Sequence, residues 1–157
     1  MPLPAQPRIA LPPPQSALLV KTSSLGDVIH NLPVATDLRR RFPQIAIDWV
    51  VEDAFADIPR LHPAVRRVIP VALRRWRRRL FTRETRVQWR AFREALGACH
   101  YDVIVDTQGL VKSALIGWIA RGNCYGYAAE AAREPLAARF YNRTFAIPRN
   151  LHAVDRN

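Results

Sequence analysis

The chain alternates short apolar runs with longer stretches of helical spacing. ALLV at 17–20 is an unbroken apolar run that ends in the polar loop KTSSLGD, the pattern of a buried strand feeding a turn. A helix is predicted next. Asp27 stands where an N-cap would, and Pro33 fits the first turn of a main segment running through Ala35, Leu38 and Phe42 beside Arg39, Arg40 and Arg41. IAIDWVV at 45–51, rich in β-branched and aromatic residues, predicts a second strand ending in Glu52 and Asp53. VRRVIPV at 65–71 is a weaker third. After it, WRRRLFTRETRVQWRAFREALGA (76–98) reads as one long helix with Val87, Ala91 and Ala95 on a single stripe. DVIVD at 102–106 is the clearest strand, followed by TQG and the helical LVKSALIGWIAR. A short CYGYA strand, a helical AREPLAARFYNR and a final TFAIP complete the pass.

Strands alternating with helices of this length predict βαβ units, hence an α/β fold with a doubly wound parallel sheet covered on both faces. Ligands of such sheets bind beyond the carboxyl ends of the strands. The loops at those ends are TSSLGD, EDA, ALRRWR and DTQG, which gather hydroxyls, acids, arginines and glycines on one edge.

At 157 residues the chain has the length of one domain. The leader MPLPAQPRIALPPPQSA is too rich in proline for the apolar helical core of a signal peptide, and residues 1–16 are expected to be disordered or polyproline-like. No apolar run approaches the ~20 residues of a membrane helix, so a soluble, cytoplasmic protein is expected. Cys99 and Cys124 form no motif with each other or with histidine, which argues against a disulfide framework or a zinc site. Charge changes the picture most. The net charge is +11, carried by arginine apart from Lys21 and Lys112, and the segment from Arg74 to Arg93 holds nine arginines against Glu84. Anionic partners follow: nucleic acid, an anionic membrane face or a phosphorylated substrate.

Three constellations carry candidate chemistry. In the first loop, Ser23, Ser24 and Gly26 next to a helix start can cradle an anion, but GxxxxGK[ST] is absent and one glycine makes no dinucleotide fingerprint. Asp27 is a helix cap or a proton acceptor, and composition alone does not choose. In DTQGLVKS, Asp106 ends a buried strand, Gln108 and Gly109 form the turn, and Lys112 enters the first helical turn against the helix dipole, an unfavourable position unless an anion lies near. The arginine run with Trp76 and Trp89 reads as a solvated helix face, a base-stacking surface or a membrane interface.

VKTSSLGDVIHNLP, DWVVEDAFADIP, RRVIPVALRRWRR, AFREAL, YDVIVDTQGLVKSAL and AAREPLAARFYNR, in this order, resemble the N-terminal half of the lipopolysaccharide heptosyltransferase I family. The resemblance spans roughly residues 17 to 157, nearly everything but the leader. It implies the N-terminal, Rossmann-like domain of a GT-B glycosyltransferase, which moves L-glycero-D-manno-heptose from ADP-heptose to the Kdo of Kdo₂-lipid A with inversion, in the inner core of lipopolysaccharide. In the family this domain holds the acceptor and the aspartate of the KTSSxGD loop is the base, here Asp27. The resemblance assigns acceptor binding to Ser23, Ser24, Gly26, Arg74, Arg75, Arg77, Gln108, Gly109, Lys112 and Arg133. It implies no cofactor and no divalent metal, and a peripheral place on the anionic cytoplasmic face of the inner membrane. The chain stops at HAVDRN, where the connection to a second domain is expected. The domain that holds ADP-heptose is then absent, and the chain is expected to be a fragment, inactive alone. The Pro-rich leader departs from the family. Two rival readings stand beside this one. An arginine-rich nucleic-acid-binding module leaves DTQG unexplained, and a stand-alone nucleotide-binding regulator leaves the arginine cluster unexplained.

Overall fold

β1 (Ser16–Val20) runs through the middle of the molecule because every side chain from Ala17 to Val20 is buried. In the computed structural model, which describes residues 12–157, β1 pairs in parallel with β2 (Ala46–Glu52) on one side and β4 (His100–Asp106) on the other. β3 (Val65–Val71), β5 (Arg121–Tyr127) and β6 (Arg143–Phe145) extend the sheet to six parallel strands in the order β3-β2-β1-β4-β5-β6. This is the α/β parallel sheet that the alternation predicts. Alternate residues of β1 face opposite cores. Leu18 and Val20 join Phe92, Leu96, Ile104 and Ile116 on one face, while Ala17 and Leu19 join Val28, Ala35, Trp49 and Val51 on the other.

The helices follow in chain order. α1 (Leu25–His30) and α2 (Leu32–Arg41) leave β1, with Pro33 at the start of α2 as its lack of an N–H donor favours. A 3₁₀ turn (Asp53–Phe55) and α3 (Asp57–Arg60) follow β2. The segment predicted as one helix is two, α4 (Leu73–Arg78) and α5 (Arg83–Gly97). Thr82 breaks it: its Oγ1 accepts the Thr85 N–H and opens a second helix there. The buried stripe of α5 is also shifted, because Val87 and Ala91 are exposed whereas Phe92 and Leu96 are buried. α6 (Val111–Ile119) follows β4, the AREP segment forms a 3₁₀ helix at Pro135–Phe140, and α7 (Ala153–Arg156) ends the chain. The leader predicted to be disordered lies mostly outside the described residues, and Ser16 already belongs to β1. No helix among the described residues is long and apolar enough to cross a membrane.

The parallel strands put all the strand-to-helix loops on one edge. Their order changes direction between β1 and β4, since β2 and β3 lie on one side of β1 while β4, β5 and β6 lie on the other. The crevice at such a switch is where ligands of open α/β sheets bind.

One charged group lies deep in the sheet. The side chain of Asp48 on β2 is fully buried and accepts bonds from the Arg66 and Arg67 guanidiniums at 2.8 to 3.0 Å and from the Tyr101 hydroxyl at 2.7 Å. Burial works to raise its pKa, yet the Arg66 and Tyr101 hydrogen bonds and the Arg67 charge outweigh it and hold the carboxyl below its usual range. Asp48→Ala is expected to cost about 2–4 kcal/mol in urea unfolding, less than a fully enclosed pair because both guanidiniums stay partly wet. With a depressed folded pKa, the Asp48 contribution is complete above the usual aspartate range and is lost as pH falls through the folded value. The variant should therefore show a shallower acid loss of stability than wild type between pH 5 and the acid unfolding limit; equal slopes would contradict this role.

Candidate functional site

The crevice is built by loops that hold one another. Gln108, which is 2% exposed, accepts the backbone N–H groups of Thr22 and Ser23 on its Oε1 at 3.1 and 3.2 Å. Asp106 in turn fixes the loop carrying Gln108: its carboxylate accepts from the Gln108 and Gly109 N–H groups, the Ser113 hydroxyl at 2.8 Å and the Tyr141 hydroxyl at 2.7 Å. Burial pushes the Asp106 carboxyl up against those four donors. Gly109 has φ 67°, and a Cβ there would lie 2.9 Å from Tyr127 Cδ2 and 3.3 Å from the Arg133 nitrogen, so only glycine fits. The Glu134 N–H reaches the Gly109 carbonyl at 3.0 Å, which docks the AREP segment onto the turn. The Glu52 N–H reaches Thr22 O at 3.0 Å, tying in the second loop.

Asp27 sits on this frame. It is not the N-cap of α1. Ser24 holds that position, and Asp27, one turn in, accepts the Ser24 N–H at 3.0 Å and the Ser24 hydroxyl at 3.3 Å on Oδ2. Its Oδ1 meets Arg133 Nη2 at 3.0 Å, which brings residues 106 apart in the chain into one ion pair. Burial works to raise the Asp27 pKa, but the Ser24 N–H, Arg133 and Lys21 together hold it below the usual range, so it is a carboxylate at neutral pH. Lys21 lies beneath, 4% exposed, with Nζ 2.6 Å from the Thr107 carbonyl. Burial brings its pKa down to about 8, with Asp27 pulling the other way. Lys21, Asp27, Arg133 and Arg156 share a small cavity of about 30 Å³. Its charges sum to three cations around one carboxylate.

A second, larger cavity of about 680 Å³ opens beside α4. Arg74, Arg77, Arg86 and Lys112 bring charge to it, while Leu73, Trp76, Leu80 and Trp89 form its apolar wall. The Arg74 N–H donates to Glu52 Oε1 at 3.1 Å, so the start of α4 is pinned to the end of β2. Burial, aided by Asp53, raises the Glu52 pKa against that hydrogen bond and the charges of Lys112 and Arg74.

Of the residues singled out in the sequence, Asp27 and Arg133 meet directly, and Arg74, Arg77 and Lys112 line one cavity. Arg75 does not join them. One residue along a helix turns the side chain by about 100°, so positions 74 and 77 share a face and 75 does not. Arg75 instead pairs with Asp53 at 3.0 Å and donates to Gln88. Gln108 and Gly109 are interior, holding the loops. Ser23 is buried with its N–H taken by Gln108, whereas Ser24 and Gly26 are exposed and a Cβ at Gly26 would meet nothing within 4 Å. The sequence reading missed Lys21 as a member of the site. Its one signal is a cation ending a fully apolar strand, where burial was already implied.

The fold and the site define a class. A solved structure titled "E. coli heptosyltransferase WaaC with ADP-2-deoxy-2-fluoro heptose" superposes with a TM-score of 0.87 at 52% identity, over 90% of this chain and 45% of that one. The fold is thus that of the N-terminal part of a GT-B glycosyltransferase. The profile of glycosyltransferase family 9 (heptosyltransferase) matches residues 89–157. Lipopolysaccharide heptosyltransferase 1 of Escherichia coli strain K12 is 54% identical over 140 residues, 88% of this chain and 44% of that protein. Its namesake in Pseudomonas aeruginosa is 52% identical over 140 residues, 88% of this chain and 39% of that protein. The chain is homologous to these heptosyltransferases over 140 residues and spans about two fifths of their length.

Arg133→Gln is expected to raise the Asp27 pKa toward the ordinary aspartate range, because it removes both a charge and a hydrogen bond that favour the carboxylate. A carbon-detected NMR titration of the Asp27 carboxyl reads this directly. An unchanged midpoint would show that Ser24 and Lys21 suffice.

Proposed function

We propose that this chain forms the acceptor-side half of an inverting heptosyltransferase, which transfers L-glycero-D-manno-heptose from ADP-heptose to a Kdo sugar of Kdo₂-lipid A during synthesis of the lipopolysaccharide inner core. The observation that carries the reading is the Asp27 carboxylate: ionised, oriented on both oxygens, and standing in the crevice where the sheet order changes direction. The donor is inferred from the ADP-heptose analogue named with the superposed WaaC structure.

The proposed chemistry balances simply. The acceptor hydroxyl oxygen bonds to the anomeric carbon of heptose from the face opposite the diphosphate, the bond from that carbon to the diphosphate oxygen breaks, and the electron pair leaves with ADP. The hydroxyl proton passes to Asp27. A carboxylate of depressed pKa is a weak base toward a resting hydroxyl. It takes the proton only as attack makes the hydroxyl acidic, which confines its action to the transition state. Ser24 and Arg133 hold the carboxylate in one orientation meanwhile. Arg74, Arg77 and Lys112 supply cations for the carboxylates and phosphates of the acceptor, where the planar guanidinium fork matches both groups. The arginine-rich face is suited to the anionic cytoplasmic leaflet, where a lipid-borne acceptor would lie.

The test uses a longer protein that joins this chain to the remaining length its relatives have. Asp27→Asn should lower kcat by about 10²-fold or more while acceptor affinity stays close to wild type. Arg77→Ala and Arg74→Ala should each weaken acceptor binding by about 1.5–3 kcal/mol, the value of a charge-assisted hydrogen bond. Arg75→Ala, whose partner is Asp53, should fall well short of that. Turnover of Asp27→Asn within a few-fold of wild type would end the assignment.

A further inference from the structure

The turn between α4 and α5 carries an apolar tip that lies outside the core. Phe81 is 92% exposed and its neighbour Leu80 is 59% exposed. Single exposed apolar residues are ordinary, but an adjacent pair at the tip of a turn is a patch seeking a partner. The turn is also braced. Beneath it Trp76 meets Trp89 and Phe92 edge-on, with ring centroids 5.6 and 5.8 Å apart, and Thr82 caps α5 immediately after Phe81. The tip is therefore presented by packed helices.

Its surroundings are cationic. Arg77, Arg78 and Arg79 precede the tip, Arg83 and Arg86 follow it, and all five are exposed. None of them makes an ion pair among the described residues. Glu84 is the one acid in the segment. An apolar tip ringed by unpaired guanidiniums complements an environment with anionic groups at one depth and hydrocarbon just below, the layering of an anionic bilayer surface. A nucleic acid can accept the guanidiniums and stack on Phe81, but it offers no apolar layer to Leu80.

We propose that the turn at residues 79 to 82 is a membrane wedge: Leu80 and Phe81 enter the acyl layer of an anionic bilayer while the flanking arginines hold the head-group phosphates. The proposal rests on the reading of a lipid-borne acceptor given above and adds the element that seats the protein on the lipid. Geometry ties the two together, because Leu80 lines the same cavity as Arg74, Arg77 and Lys112. Seating Leu80 in the bilayer brings that cavity to head-group depth. An acceptor can then offer its anionic sugars while its acyl chains stay in the membrane.

The test is sedimentation of this chain with vesicles of phosphatidylcholine alone and of phosphatidylcholine mixed with phosphatidylglycerol. Wild type should bind the anionic vesicles, and part of the binding should survive in about 1 M salt, where the screening length falls to ~3 Å. The double variant Leu80→Ser/Phe81→Ser should bind about tenfold or more weakly at low salt, from the lost burial of two apolar side chains, and should be released fully at high salt. Both side chains are exposed, so its circular dichroism and melting should match wild type. In a Phe81→Trp variant, brominated acyl chains should quench fluorescence beyond the wild-type level. Equal binding and equal salt release of wild type and double variant would overturn the wedge and leave the membrane reading standing. Failure of wild type to bind anionic vesicles, with the soluble acceptor head group still bound, would overturn both the wedge and membrane association. Binding to single-stranded DNA that the double variant loses, with vesicle binding unchanged, would assign the tip to nucleic acid instead.

Discussion

Gln108 Oε1 accepts the Thr22 and Ser23 N–H groups, and through this pair of hydrogen bonds the loops leaving β1 and β4 fix one another. Everything at the crevice is placed from there. Ser24 follows Ser23 and starts α1, so the position of Asp27 one turn later is set by the same two bonds. Gly109 follows Gln108, and its positive φ turns the chain so that the AREP segment can dock and bring Arg133 to Asp27. The amide is buried, so loss of these bonds would leave two N–H groups without water or partner, a penalty of about 1–3 kcal/mol each. That cost keeps the two loops in register.

The charges on this frame divide into two kinds. Asp48 with Arg66, Arg67 and Tyr101 is a closed set: a buried acid with its donors supplied by β3 and β4, far along β2 from the loops. The crevice is an open set. Around Asp27 the cations outnumber the acid, and around the larger cavity Arg74, Arg77, Arg86 and Lys112 gather, with Glu52 close to Arg74 and Lys112. Surplus positive charge facing a cavity costs free energy in the empty protein and is repaid when an anion enters. The closed set holds the sheet, and the open set is the part of the site proposed to meet an anionic ligand.

Much of this was legible in the sequence. The apolar runs ALLV and DVIVD marked β1 and β4, and their alternation with helical spacing gave the parallel sheet and the edge on which the loops gather. The lone acid in KTSSLGD and the arginines after the third strand stood out by composition. Other features depended on information that periodicity does not carry. Ser24 rather than Asp27 caps α1, and the acid three residues on accepts the Ser24 N–H. Thr82 splits a helix that its neighbours would continue, and the split decides which arginines share a face with the cavity. Arg75 turns to Asp53 on the far side of α4, a contact between residues 22 apart. The Arg133–Asp27 pair spans 106 residues, and the Lys21 ammonium donates to the Thr107 carbonyl on a neighbouring strand's loop. Tertiary contacts of this range are invisible to local pattern.

The central claim is that the crevice at the switch between β1 and β4 and the cavity beside α4 receive one anionic sugar acceptor. An amide-resolved NMR titration of the chain with a soluble, de-acylated Kdo₂-lipid A head group tests it most directly. The account predicts saturable shifts confined to Ser24–Asp27, the N-terminal turn of α4, Lys112 and Arg133, with Arg40 and Arg60 on the opposite elements unmoved. Shifts spread evenly over all exposed arginines, or centred on the apolar groove between Phe42 and Phe145, would contradict it.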